Sequence, residues 1–299
     1  MKRRPVLVAA LVALVASSCA TARLPPPRAP ALSTPADALP PDLDLVLRVD
    51  VEKVRSALGA DGLELMRRGS GILPSDPGTQ FVADALSHTR TAWLAVRPEL
   101  VPGEPDNVLV LAGRFDGLAL ERALAGSGWS PPVDLGGDVR RYDRKTKVGR
   151  AAPVRLYAFR DESLVFVSAA EVDSVEAVVE RGLPPNRLVP REQGVIGFAA
   201  RMRALRYGLG RRYPSLARSL GDAEGFEGTL DATTEGLQLE VSFELSSEVS
   251  ARQSAEELGH VRDALVGSEG KLGTVAQGAR AEAVGRYVVV RVPLTRGLL

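Results

Sequence analysis

The chain has one cysteine, Cys19, so no internal disulfide can form. Its stability has to come from core packing and not from covalent staples. Histidine is nearly missing too: His88 and His260 stand far apart in sequence. A zinc or iron site needs several converging ligands, and no His-Glu-x-x-His, Cys-x-x-Cys or spaced carboxylate loop is present. No metal and no cofactor are therefore expected. Gly-x-Ser-x-Gly is absent, and Ser70 between Gly69 and Gly71 reads as a loop and not as a nucleophile elbow. Gly270-Lys271 is followed by Leu272, where a phosphate loop needs Ser or Thr. No catalytic residue stands out. A hydrolase with an unrecognised carboxylate pair is the enzymatic alternative, and nothing selects a pair. Aromatic residues make up 5% of the chain, which argues against a carbohydrate-stacking groove. A basic excess is also missing. The net charge is +1, about −2 once Lys2, Arg3 and Arg4 are removed, so no nucleic-acid partner is expected.

What is present begins at the N-terminus. Lys2, Arg3 and Arg4 precede an apolar run from Val6 to Ala16, then Ser17, Ser18 and Cys19. The run is about 11 residues, short of the roughly 20 a spanning helix needs. A positive segment that stays behind and an apolar segment that enters the membrane are the parts of an export signal. The segment resembles a bacterial lipoprotein signal peptide, residues 1–18, with Cys19 as the lipid-attachment residue. Ala16 stands where that family prefers Leu, so ordinary secretory cleavage is the alternative. Ala20, not Asp, follows the cysteine, and the resemblance implies sorting to the outer membrane, facing the periplasm. Residues 19–41 read as a tether: Pro25, Pro26, Pro27, Pro30, Pro35, Pro40 and Pro41 favour extended polyproline geometry over helix or sheet.

Beyond it, Leu43, Leu45, Leu47 and Val49 alternate with Asp44, Val46, Arg48 and Asp50, the period of a strand. Asp50 can cap a helix bearing Val51, Val54 and Leu58. Residues 91–96 and 108–115 read as neighbouring strands. Asp116 is an N-cap for a helix carrying Leu118, Leu120 and Leu124, with Trp129 over its end. Residues 139–143 read as a strand, and 154–159 with 164–168 as a hairpin turning at Asp161-Glu162. A helix with Val172, Val175 and Val179 ends at Gly182. Further on, residues 195–200, 226–232, 237–245 and 287–294 read as strands. In the third of these, Leu237, Leu239, Val241, Phe243 and Leu245 face one side, and the polar residues between them form a wet face. Residues 251–265 read as a helix with Ala255, Leu258, Val261 and Leu265 on its apolar stripe, and 267–278 as a loop.

The two halves share an order of elements. Residues 46–55 (VLRVDVEKVR) parallel 197–206 (GFAARMRALR), and 108–124 parallel 237–258. The expectation is an α+β fold: two similar units, 42–182 and 195–299, joined by a linker at 183–194. Each packs helices on one face of a mostly antiparallel sheet. One fused sheet across both halves is equally compatible with the repeat.

The segment LPPDLDLVLRVDVEKVR, residues 39–55, with its later strand–helix echoes, is similar to bacterial cell-envelope proteins with repeated α+β units, mostly uncharacterised. The resemblance carries no functional residue and implies a non-enzymatic envelope role. One further patch is distinctive. Arg201, Arg203, Arg206, Arg211 and Arg212 lie in a stretch free of lysine, and paired guanidinium donors suit phosphate and carboxylate. Anionic lipid headgroups or an acidic envelope protein are the partners this patch would fit; arginine that merely solvates a helix is the bland reading. Two functions are carried forward: a membrane-anchored structural or protein-interaction lipoprotein, and a binding module or carrier for a lipid or other apolar ligand. A carrier should contain an apolar cavity.

Overall fold

A computed structural model describes residues 32–57, 84–97, 106–145, 152–186, 188–204, 214–267 and 271–295. The strands are β1 (Leu45–Asp50), β2 (Thr89–Arg97), β3 (Asp106–Gly113), β4 (Val133–Gly136), β5 (Val139–Asp143), β6 (Pro153–Phe159), β7 (Ser163–Ser168), β8 (Ile196–Arg201), β9 (Ala223–Ala232), β10 (Gly236–Leu245), β11 (Arg280–Val284) and β12 (Tyr287–Thr295). All twelve join one sheet, in the order β11-β12-β10-β9-β8-β1-β2-β3-β7-β6-β5-β4. Every neighbouring pair is antiparallel. The two halves are therefore fused edge to edge, through β1 against β8.

That order is palindromic about the seam. Reading outward, β1-β2-β3-β7-β6 on one side matches β8-β9-β10-β12-β11 on the other, and β5 and β4 extend the first unit. The register repeats the symmetry. Leu47 pairs with Phe198 at the seam, and the alignment of 46–55 with 197–206 makes these two residues counterparts.

Local chemistry explains the helices. Asp116 accepts from the Leu118 and Ala119 amides and starts α1 (Gly117–Ala125). Such a cap is worth about 1 kcal/mol. Asp50 accepts from the Lys53 amide at 3.0 Å where helical residues 51–57 begin. Next come α2 (Val172–Val179) and α3 (Pro214–Ser219). Ser247 accepts from the Ser250 amide and starts α4 (Glu248–Val266). Residues 267–278, expected as a loop, contain instead a further helix, α5 (Lys271–Gly278). Its glycines hid a short segment that tertiary packing on β12 and α4 stabilises. Strands β4 and β11 were not legible either, being short edge strands without an apolar run.

The first unit is covered on both faces, not on one. On one face Leu120 and Leu124 of α1, with Trp129, pack on Leu109, Leu111, Leu156 and Phe166. On the other, Val175 and Val179 of α2, with Ala38 and Leu39, pack on Val108, Val110, Val165 and Tyr157. Ala38 and Leu39 belong to a 3-10 turn, Pro35–Ala38, and its following residue. The chain thus joins the fold earlier than Asp42, because the small apolar residues between the last prolines find a place in the core. In the second unit α4 lies on the Phe243 and Val288 side, and the opposite face of β10 carries Gln238, Glu240, Ser242 and Glu244.

Candidate functional site

The palindromic register allows the cores of the two units to be compared position by position. Outward from Leu47 and Phe198, Leu94 corresponds to Gly228, Leu109 to Val241, Phe166 to Val290 and Leu156 to Ala281. In the first unit Leu109, Phe166 and Leu156 are buried under α1 and Trp129. Each is replaced in the second unit by a smaller residue. The covering helix α4 carries Gly259 at its middle, where an added Cβ would meet nothing within 4 Å. A mid-helix glycine costs about 0.5–1 kcal/mol relative to alanine, and no close contact here requires one.

The result is a trough of about 240 Å³ between α4, α5 and strands β10–β12. Leu239, Val241 and Phe243 form the floor, Leu258, Val261 and Leu265 one wall, and Val275 and Ala276 the other. The stripe expected on 251–265 is thus real, but Val261 and Leu265 are only half-buried. Both line this space. Among the described residues the charged groups bordering the trough are Arg262 and Arg280, with no acid. Arg280 pairs in register with Arg291, so the pleat directs its side chain to the wet face, away from Ala281. Drug-sized ligands occupy roughly 300–1,000 Å³. A trough of this size and lining suits one narrow apolar chain.

The wet face behind the trough is a lattice of ion pairs. Arg191 reaches Glu227 at 2.8 Å and Glu240 at 3.1 Å, and donates to the Ser242 hydroxyl. Arg291 holds Glu240 at 2.8 Å and also pairs with Glu282. Hydrogen bonds from Arg291, and secondarily from Arg191, hold the Glu240 carboxyl below the usual carboxylate range. The lattice locks four strands against shear beneath the trough.

A polar cleft of about 600 Å³ lies at the β4–β5 turn, bordered by Asp134, Asp138, Asp161, Arg140 and Arg160. Its carboxylates are engaged: Asp161 with Arg140 at 3.7 Å, Asp138 with Arg160 at 3.6 Å, and Asp134 with the Gly136 amide. No group of three or more His, Cys, Asp or Glu among the described residues could hold a metal ion. His88 precedes β2 and His260 is exposed on α4.

Of the residues singled out in sequence, Cys19, Arg206, Arg211 and Arg212 lie outside the described residues. Arg201 and Arg203 do not stand free. Arg203 grips Asp44 with two bonds, at 2.8 and 2.6 Å, and Arg201 approaches the same carboxylate at 3.7 Å. Asp44 is 1% exposed, so this is a clasp across the seam between the units. A second clasp was not foreseen. Glu171, fully buried, takes two bonds from Arg97, which also reaches Asp42 at 2.6 Å. The hydrogen bonds that Arg97 donates to Glu171, above all, raise the Arg97 pKa. In sequence Glu171 looks like an ordinary acidic residue at a helix start. Gly259, a glycine inside the helix expected over 251–265, was the available signal for the trough.

No helix among the described residues is long and apolar enough to cross a membrane. No family model and no curated protein matches the chain. Solved structures do share its fold. Crystal form III of TP0453 is similar with a TM-score of 0.50 at 11% identity, covering 87% of this chain and 93% of that one. Crystal form I gives 0.50 at 10% identity, covering 88% and 92%. Crystal form IV gives 0.51 at 10% identity, covering 89% and 95%. The likeness spans both units and is one of fold.

Proposed function

We propose that this chain is a non-enzymatic envelope protein, exported and held to a bacterial membrane by lipid on Cys19, whose second unit binds an apolar ligand. The observation that carries the binding role is the trough, unfilled at the very positions where the first unit is filled. Burying apolar surface there supplies about 25 cal/mol per Å², and the lining offers almost no polar partner, so the ligand portion inside is hydrocarbon. The anchor rests on Lys2 to Cys19, with the outer membrane, facing the periplasm, as its destination. Arg206, Arg211 and Arg212 are assigned to anionic headgroups of that membrane.

Binding of dodecanol, followed by displacement of an apolar dye, tests the reading. The native chain should bind it, and Gly259→Leu, which fills the trough, should not. A folded native chain that fails to bind leaves the structural or protein-interaction role instead. For the anchor, the mass of the mature N-terminus should show an acylated Cys19. An unacylated terminus beginning beyond it removes the lipid.

A further inference from the structure

The end of the ligand that stays outside the trough also meets a defined environment. Arg262 follows Val261 on α4 and lies one helical turn from Leu258 and Leu265, so its Cα belongs to the wall of the trough. Its Nε and Nη2 both donate to Asp263, at 2.8 and 2.5 Å. Asp263 is mostly exposed, its side chain 63% accessible, and an exposed pair of neighbouring residues is worth little. A competing anion can therefore take the guanidinium at small cost. Arg280 also borders the trough, its side chain leaning to the wet face, and has no ion-pair partner among the described residues. Among them no acidic side chain lines the trough itself, and Asp263 is the acid that an anion on Arg262 has to displace.

Building on the apolar-ligand reading above, we infer that the ligand is a single-chain anionic amphiphile, its hydrocarbon tail in the trough and its head on Arg262. A neutral alcohol gains only the tail. A carboxylate or phosphate head adds a charge-assisted pair with the guanidinium. A quaternary ammonium head meets the Arg262 guanidinium and is disfavoured. A trough of about 240 Å³ has room for one such chain and not for two.

The test uses the full chain carrying Cys19→Ser, so that no attached lipid competes, with every probe below its micelle concentration. Dodecanoate, dodecyl phosphate, dodecanol and dodecyltrimethylammonium are titrated against an apolar dye. Both anions should bind about fivefold more tightly than dodecanol, the scale of an exposed ion pair, and the cation more weakly than dodecanol. Arg262→Gln should bring the anions to the level of dodecanol and leave dodecanol unchanged. Affinity should rise about fourfold per methylene, the factor for burying one CH₂, and level off when the trough is full. Dodecanol binding as tightly as dodecanoate to the native chain, or an anion preference that survives Arg262→Gln, overturns the head assignment and leaves the trough as an apolar site. If no probe binds and Gly259→Leu changes nothing, the apolar-ligand reading fails, and the head assignment with it.

Discussion

Leu47 and Phe198 face each other across the β1–β8 pair, and each is the other's counterpart in the repeat. A residue that pairs with its own equivalent marks a pseudo-twofold axis. The strand order is palindromic around it, so the second unit can be read as a variation on the first.

The seam itself is sensitive to one atom. Phe198 lies over Gly228 on β9. A Cβ at Gly228 would come within 2.5 Å of the Phe198 ring and collide with the Glu240 carbonyl. Gly228→Ala should cost about 2 kcal/mol, in the range for overpacked cores, read as a lower urea midpoint. Phe198→Leu in the same chain should recover only part of the loss, because the carbonyl remains in place.

The Asp44 clasp ties the two units. Removing one partner of a buried pair strands the other, at a cost of about 3–5 kcal/mol when both are buried. Here the arginines are about half exposed. Asp44→Asn should therefore cost about 2 kcal/mol. Arg203→Gln should cost less, since Arg201 stays near the carboxylate. A double-mutant cycle in urea unfolding measures the coupling, and additivity would show that the clasp contributes nothing.

Filling the trough should stabilise the chain. Ala281→Leu restores the residue that Leu156 supplies in the first unit. In a closed core an added side chain costs about 1–3 kcal/mol. In an open trough it should instead add about 1 kcal/mol, with loss of alkyl binding. A fall in thermal midpoint would show that the space is not available.

The ion-pair lattice has a pH signature. Glu240 is held below its ordinary pKa by Arg291 and Arg191. A depressed carboxylate contributes stability above its unfolded pKa and loses it as pH falls through the lower folded value. The urea midpoint should thus fall below the usual glutamate range, from about pH 4 downward. Glu240→Gln should lower stability at neutral pH and make this acid limb shallower.

Much of this was legible along the chain. Period-two alternation located β1 and β10, because one residue in two must face a core, while β3 and β12 showed as apolar runs. Asp116 and Asp50 announced helix starts, because a carboxylate there satisfies free amides. Gly270 and Gly273 argued for a loop where α5 stands, since propensity is weak evidence when a short helix packs on a sheet. Glu171 and Asp44 were indistinguishable from surface acids, because burial depends on strands distant in sequence.

The sequence by itself carried the α+β class and the shared order of elements in the two halves, and it shows one cysteine and no metal-site motif. Each follows from residue type and local spacing. Only the tertiary structure decided that the units share one palindromic sheet, that Arg201 and Arg203 serve the seam, and that the second core is left open. Those depend on cross-strand register. Ala281, Val290 and Val241 are unremarkable as residues, and become a vacancy only when register sets them opposite the places of Leu156, Phe166 and Leu109.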